Sequence, residues 1–136
     1  MGLLIDASIL IEAERGRLGI ARFLRDRPTE TAFLSVVTAS ELLHGVHRAK
    51  DEHIMSRRSH WVEEILVRIP LLPVDLATAR VHARISADLA SQGTPIGPHD
   101  LWIAATCLVH GFSIATANIR EFNRVPGLAV DAWPAS

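Results

Sequence analysis

Short apolar runs alternate with helical segments along the whole chain, and this alternation restricts the fold more than any other feature. Gly2–Ile5 is apolar, stops at Asp6 and reads as a buried strand. Ala7–Glu14 reads as a helix. A second short helix, over about residues 18–25, stops before Pro28, because the residue before proline avoids the helical region. Residues 31–36 are apolar and partly β-branched, hence a second strand. Thr38 opens a helix to about residue 49. The next, over about 52–69, carries Ile54, Trp61, Val62, Ile65, Leu66 and Ile69 on one stripe, and Pro70 ends it. Leu71, Leu72 and Val74 make a third strand. Asp75 then caps a helix through Ser91 whose stripe is Ala77, Val81, Ile85 and Leu89, with Gly93 closing it. Pro98 suits the first position of a helix running to His110 that is apolar on nearly every side and so belongs inside the domain. Residues 112–115 and 128–130 complete the strands.

Strands and helices in this order predict an α/β fold with three layers, a central, mostly parallel β-sheet flanked by helices. The 136 residues contain no repeat or linker, so 1–136 is read as a single domain. Charge is balanced, 14 Lys and Arg against 15 Asp and Glu, so any nucleic-acid site must be local. One cysteine, Cys107, suits a reducing compartment. Asp6 comes too early for a secretory signal, and no apolar run approaches the ~18 residues of a membrane span. The expectation is a cytoplasmic protein without membrane contact.

In such sheets the functional site lies at the carboxyl ends of the strands. Asp6 follows the first strand, Glu41 lies one turn into the helix after the second, and Asp100 lies in the first turn of the buried helix. Thr116, Asn118 and Glu121 follow the strand that begins near Phe112. Carboxylates gathered at one edge repel, and desolvation raises their pKa. A hard divalent cation reverses that penalty, and Mg²⁺ or Mn²⁺ prefers oxygen ligands and retains waters that can face a phosphate. With no covalent nucleophile in the set, hydrolysis by metal-activated water is the natural chemistry. The same residues also fit helix capping. Asp6 can cap the first helix, Thr38 and Glu41 form a capping box, Asn118 and Glu121 form another, and Asp100 suits the helix dipole. Convergence on one edge separates the readings, because capping does not require it.

Four segments carry a resemblance to the PIN-domain family, and more closely to the VapC toxins of bacterial type II toxin–antitoxin systems. They are Leu3-Leu4-Ile5-Asp6-Ala7-Ser8, Ser35-Val36-Val37-Thr38-Ala39-Ser40-Glu41-Leu42, Ile96-Gly97-Pro98-His99-Asp100-Leu101-Trp102-Ile103-Ala104-Ala105, and Ala115-Thr116-Ala117-Asn118-Ile119-Arg120-Glu121-Phe122 followed by Val125-Pro126-Gly127-Leu128. The resemblance implies a PIN fold and a Mg²⁺-dependent endoribonuclease, with Mn²⁺ as a substitute, inhibited by a cognate VapB-type antitoxin. It puts the metal acids on Asp6, Glu41 and Asp100, with Asn118 and Glu121 assisting. Asn118 stands where many PIN domains have Asp, which leaves a second ion open. Ser8 and Thr116 match polar site positions, and Arg120 and Arg124 flank the fourth segment as candidate RNA contacts. A homodimer or a higher toxin–antitoxin assembly is implied, with the 52–69 stripe as either core or dimer surface. The competing reading is a catalytically weak PIN-fold module that binds RNA or protein.

Other groupings are less constrained. Glu41, His44 and His47 at i, i+3 and i+6 resemble half of a transition-metal site, or simply exposed helix. His99 reads as an RNA contact, an acid, or a residue of the capping turn. Cys107 and His110 lie one turn apart, but Cys107 sits in the most apolar helix and reads as core. Arg48, Lys50, Arg57 and Arg58 cluster at a helix junction as RNA-path candidates or solvated surface, and Glu64–Arg68 is an i, i+4 pair.

Overall fold

The fold was obtained as a computed structural model and is described for residues 2–14 and 20–133. The elements run β1 (Gly2–Ile5), α1 (Ala7–Glu14), α2 (Ile20–Arg25), β2 (Thr31–Ser35), α3 (Val36–His47) and α4 (Glu52–Arg68). β3 (Leu71–Leu72), α5 (Leu76–Ser91), α6 (Pro98–His110), β4 (Ser113–Thr116), α7 (Ile119–Phe122) and β5 (Val130–Ala132) follow. The expected start of the second helix, at residue 18, lies outside the described residues.

The sheet has five strands in the order β3-β2-β1-β4-β5, and every ladder is parallel. β1 is central and buried along its length, which accounts for its unbroken apolar sequence. Two hydrophobic clusters cover the two faces. One joins Leu3, Ile5, Ile9, Leu10, Leu42, Val46 and Val62 beneath α1, α3 and α4. The other joins Leu4, Ile85, Leu89, Ile103, Ala104 and Ile114 beneath α5 and α6. Alternate residues of β1 feed opposite clusters, as the two-residue period of a strand requires.

Several local expectations shift. β2 ends one residue early, at Ser35, and Ser35 rather than Thr38 caps α3, its hydroxyl accepting from the Val37 N–H at 3.0 Å. Ala77 is exposed, and the buried stripe of α5 runs from Thr78 to Ile85 and Leu89. β5 begins at Val130, because Leu128 belongs to a turn closed by Leu128 N–H to the Val125 carbonyl, with Gly127 at φ 81°. Val62 and Ile69 of the 52–69 stripe are buried, and Trp61, Ile65 and Leu66 pack against the same cluster, so these five are core, whereas Ile54 stands outside it at a surface cleft. Cys107 is fully buried, and burial pushes its thiol pKa up, which makes it inert. Among the described residues no helix is long and apolar enough to cross a membrane.

Candidate active site

Because all strands run parallel, their carboxyl ends form one edge, and the predicted acids come there from separate segments. Asp6 leaves β1 with its backbone N–H bonded to the Ala115 carbonyl of β4 at 2.9 Å. Its side chain is only 4% exposed, and Oδ2 accepts from Ser8 Oγ at 2.7 Å and Thr116 Oγ1 at 2.8 Å. Both hydroxyls are themselves fixed. Ser8 Oγ accepts from the Ala117 N–H at 3.1 Å, and Thr116 Oγ1 accepts from the Asn118 N–H at 2.8 Å. Asp6 is thereby held in one orientation with Oδ1 free of these bonds.

Glu41 projects from α3 toward the same edge. The Thr38–Glu41 capping box does not form, since the helix starts two residues before Thr38 and Thr38 Oγ1 is buried without a hydrogen-bond partner. Glu41 Oε1 is also buried without one, and His99 Nδ1 faces it at 3.4 Å as a charge contact. Burial pushes the Glu41 pKa up; His99 opposes the shift and the charge of Asp6 adds to it.

Asp100 sits at the third position of α6. Burial raises its pKa to about 8, helped by hydrogen bonding to Glu121 and by the charges of Asp6, Glu121 and Glu41. Glu121 moves the opposite way, because the Asp100 carboxyl donates to it and the Gly97 N–H and Asn118 add further bonds. Asn118 precedes α7 but makes no side-chain cap. Its Nδ2 instead donates to Asp100 Oδ2 at 3.2 Å and Glu121 Oε2 at 3.4 Å. The second predicted capping box is thus replaced by a bridge between two carboxyl groups.

Asp6 is near enough to raise the proton affinity of both Glu41 and Asp100, and Glu41 to raise that of Asp100, although among the described residues no three metal-ligating side chains converge as a finished cage. Their donor chemistry fits a hard divalent cation: three carboxyl groups from three segments, with Glu41 Oε1 buried and facing only His99. His44 and His47 are exposed on α3. Arg120 is exposed beside Asn118, whereas Arg124 Nη1 donates to the Pro95 carbonyl at 2.9 Å. Of the basic cluster near α4, Arg58 is committed to structure, donating to Glu14 Oε1 at 3.1 Å and the Gly45 carbonyl at 3.0 Å. The ties from Arg58 and Arg124 had no local signature, since their partners lie far off in the chain. A cleft of about 720 Å³ opens beside Glu41 and His99, floored by Ile11, Leu42, Trp61 and Val62.

The chain matches the family model of the PIN domain over residues 3–128. It is 36% identical over 130 residues to "Ribonuclease VapC1" of Rickettsia felis, covering 96% of this chain and 95% of the relative. It is 38% identical over 100 residues to a "tRNA(fMet)-specific endonuclease VapC" of Shigella flexneri, 74% of each chain. Among solved structures, the DNA-bound VapBC of Salmonella typhimurium superposes with a TM-score of 0.88 at 28% identity, covering 98% of both chains.

Proposed function

From the premise that the chain belongs to the PIN-domain family, we propose that it is a metal-dependent endoribonuclease, the toxin of a VapBC-type toxin–antitoxin pair. One observation carries the catalytic reading over the binding-module reading. Glu41 and Asn118 have sequence contexts made for helix capping, and neither caps; both turn to the edge that holds Asp6 and Asp100. A fold that kept these groups only as caps would have no reason to gather them there.

In this reading Asp6, Glu41 and Asp100 would hold Mg²⁺ or Mn²⁺, which when bound would polarise a phosphoryl oxygen and lower the pKa of a water so that it can attack phosphorus as hydroxide. Ser8 and Thr116 keep Asp6 in its orientation. Asn118 would align Asp100 and Glu121, and the proton that Asp100 gives up on binding a cation would leave to solvent. Arg120 meets the RNA backbone from the rim with a planar donor fork. Cleavage leaves a 3′-hydroxyl and a 5′-phosphate. The cleft beside Glu41 suits a segment of a VapB-type antitoxin, whose basic side chain would neutralise the acids and block RNA. Relatives named as VapC ribonucleases and VapBC complexes support this assignment.

The decisive experiment is cleavage of RNA by the antitoxin-free chain with Mg²⁺, Mn²⁺ or EDTA, beside Asp6→Asn and Asp100→Asn. Asparagine keeps capping capacity and loses the ligand charge. Activity should require the cation and fall at least about a hundredfold in both folded variants, equivalent to roughly 2.7 kcal/mol of barrier. Undiminished cleavage in the variants would remove Asp6 and Asp100 from the chemistry, and RNA binding without cleavage in the parent chain would establish the binding module instead.

A further inference from the structure

Residues 94–97, the turn that leads into α6, are tied to the segment that follows α7 by one long-range bond. Arg124 Nη1 donates to the Pro95 carbonyl at 2.9 Å, 29 positions away in sequence. The Glu121 carboxylate lies against Gly97, and the Leu101 N–H starts α6 by bonding the Gly97 carbonyl at 3.0 Å. Asn118 Nδ2 completes the link to Asp100. The anchor is firm, because Phe122 and Val125 are buried in the cluster that holds Ile103 and Ala104 of α6. A guanidinium held on a backbone carbonyl has given one of its donors to structure, whereas Arg120 is exposed and makes no such tie among the described residues.

We propose that Arg124 is a positioning residue: by holding the Pro95 carbonyl it fixes the turn before α6 and so aims the Asp100 carboxylate at the site. Its consequence for metal and RNA rests on the nuclease reading above; the tie itself does not. The mechanism is that of an outer contact that orients a ligand, whose loss commonly weakens metal binding by about 10–100-fold. A phosphate contact would act differently. It would contribute to the salt dependence of RNA binding, about 0.7 in the slope of log K against log salt for one contact to a single strand.

The test compares Arg124→Gln and Arg120→Gln with the parent chain in three readouts. These are amide hydrogen exchange at Thr94 and Leu101, whose N–H groups bond the Leu89 and Gly97 carbonyls, without metal or RNA, Mn²⁺ affinity by calorimetry, and RNA affinity across a salt series with steady-state cleavage. Arg124→Gln should speed exchange at both amides, weaken Mn²⁺ by about tenfold and lower kcat, with KM and the salt slope unchanged. Arg120→Gln should leave exchange and Mn²⁺ affinity alone and reduce the slope by about 0.7. Unaltered exchange in Arg124→Gln overturns the proposal, as does a lower salt slope with intact Mn²⁺ affinity. If Arg124→Gln loses the fold, seen as fast exchange at Leu4 and Ile103 as well, Arg124→Lys carries the same expectations at reduced size. A parent chain that neither binds Mn²⁺ nor cleaves RNA defeats the nuclease reading, while the exchange arm still decides whether Arg124 holds the turn.

Discussion

Asp100 carries a stability cost in the metal-free protein, and the sign follows from its neighbours. Its folded pKa, about 8, lies above its ordinary value of 3.8, so the folded chain holds a proton that the unfolded chain releases. Stability therefore falls as pH rises from about 4 to about 8. Glu41, also raised, acts in the same direction. Glu121 is lowered and acts oppositely, but its gain is complete once pH exceeds the ordinary value of 4.5, so Asp100 decides the slope above that. Asp100→Asn removes the titration and keeps an amide that can still donate to Glu121. In EDTA it should melt higher than the parent, by a few degrees at pH 8, since each kcal/mol is worth roughly 3–5 °C at this chain length. The gain should shrink toward zero by pH 4. Melting curves at pH 4, 6 and 8 check this, and an unchanged or lower Tm at pH 8 would show that the Asp100 charge is not strained. Loss of cleavage with a gain in stability is the pattern expected when a site gathers like charges for function.

The start of α3 shows where local pattern misleads. Thr38-Ala39-Ser40-Glu41 satisfies the capping-box rule, yet Ser35 caps the helix, because β2 is paired only through Ser35 and Val36 and Val37 can continue straight into the helix. The consequence reaches the site, since a helix begun three residues earlier leaves Glu41 beyond the first turn and free to face Asp6. The same was true of Asn118, whose sequence fits a cap and whose side chain bridges two acids. The five strands and helices α1 to α6 were legible in the sequence, whereas one-turn α7 was read only as a possible cap, and the use of polar residues at helix starts depended on partners far away in sequence. Two substitutions separate the caps. Ser35→Ala removes a used, fully buried cap and should cost about 1 kcal/mol. Thr38→Val removes a buried hydroxyl with no partner at nearly constant shape and should be neutral or slightly stabilising. Urea titrations of both variants check the order; an equal loss in the two would restore Thr38 as a contributor to the helix start.

At the scale of the molecule, alternation of strand and helix was enough to predict a parallel sheet, but not the strand order β3-β2-β1-β4-β5 nor the position of its last strand. The expected final strand, residues 128–130, stopped short of Asp131, whereas β5 runs Val130–Ala132. The charge lies inside β5 because its partner comes from the other end of the chain. Arg27, in the segment before β2, donates through Nε and Nη2 to both Asp131 carboxylate oxygens and lies over the Trp133 ring at 5.4 Å. Contacts separated by 104 residues have no local signature, so only the folded chain discloses them. With side chains 17% and 30% exposed, this pair is far less solvated than Arg68–Glu64, at 76% and 51%. Bidentate geometry and partial burial make removal of one partner costly, since the other charge is left desolvated. Arg27→Ala should therefore destabilise by about 2 kcal/mol, below the 3–5 kcal/mol of a fully buried pair, whereas Arg68→Ala should cost less than about 0.5 kcal/mol. Arg27→Ala combined with Asp131→Ala should recover part of the loss, because no charge is then stranded, and the coupling in that double-mutant cycle measures the pair itself. Equal, small effects for Arg27→Ala and Arg68→Ala in urea unfolding would mean that the edge strand is held by its ladder to β4 alone.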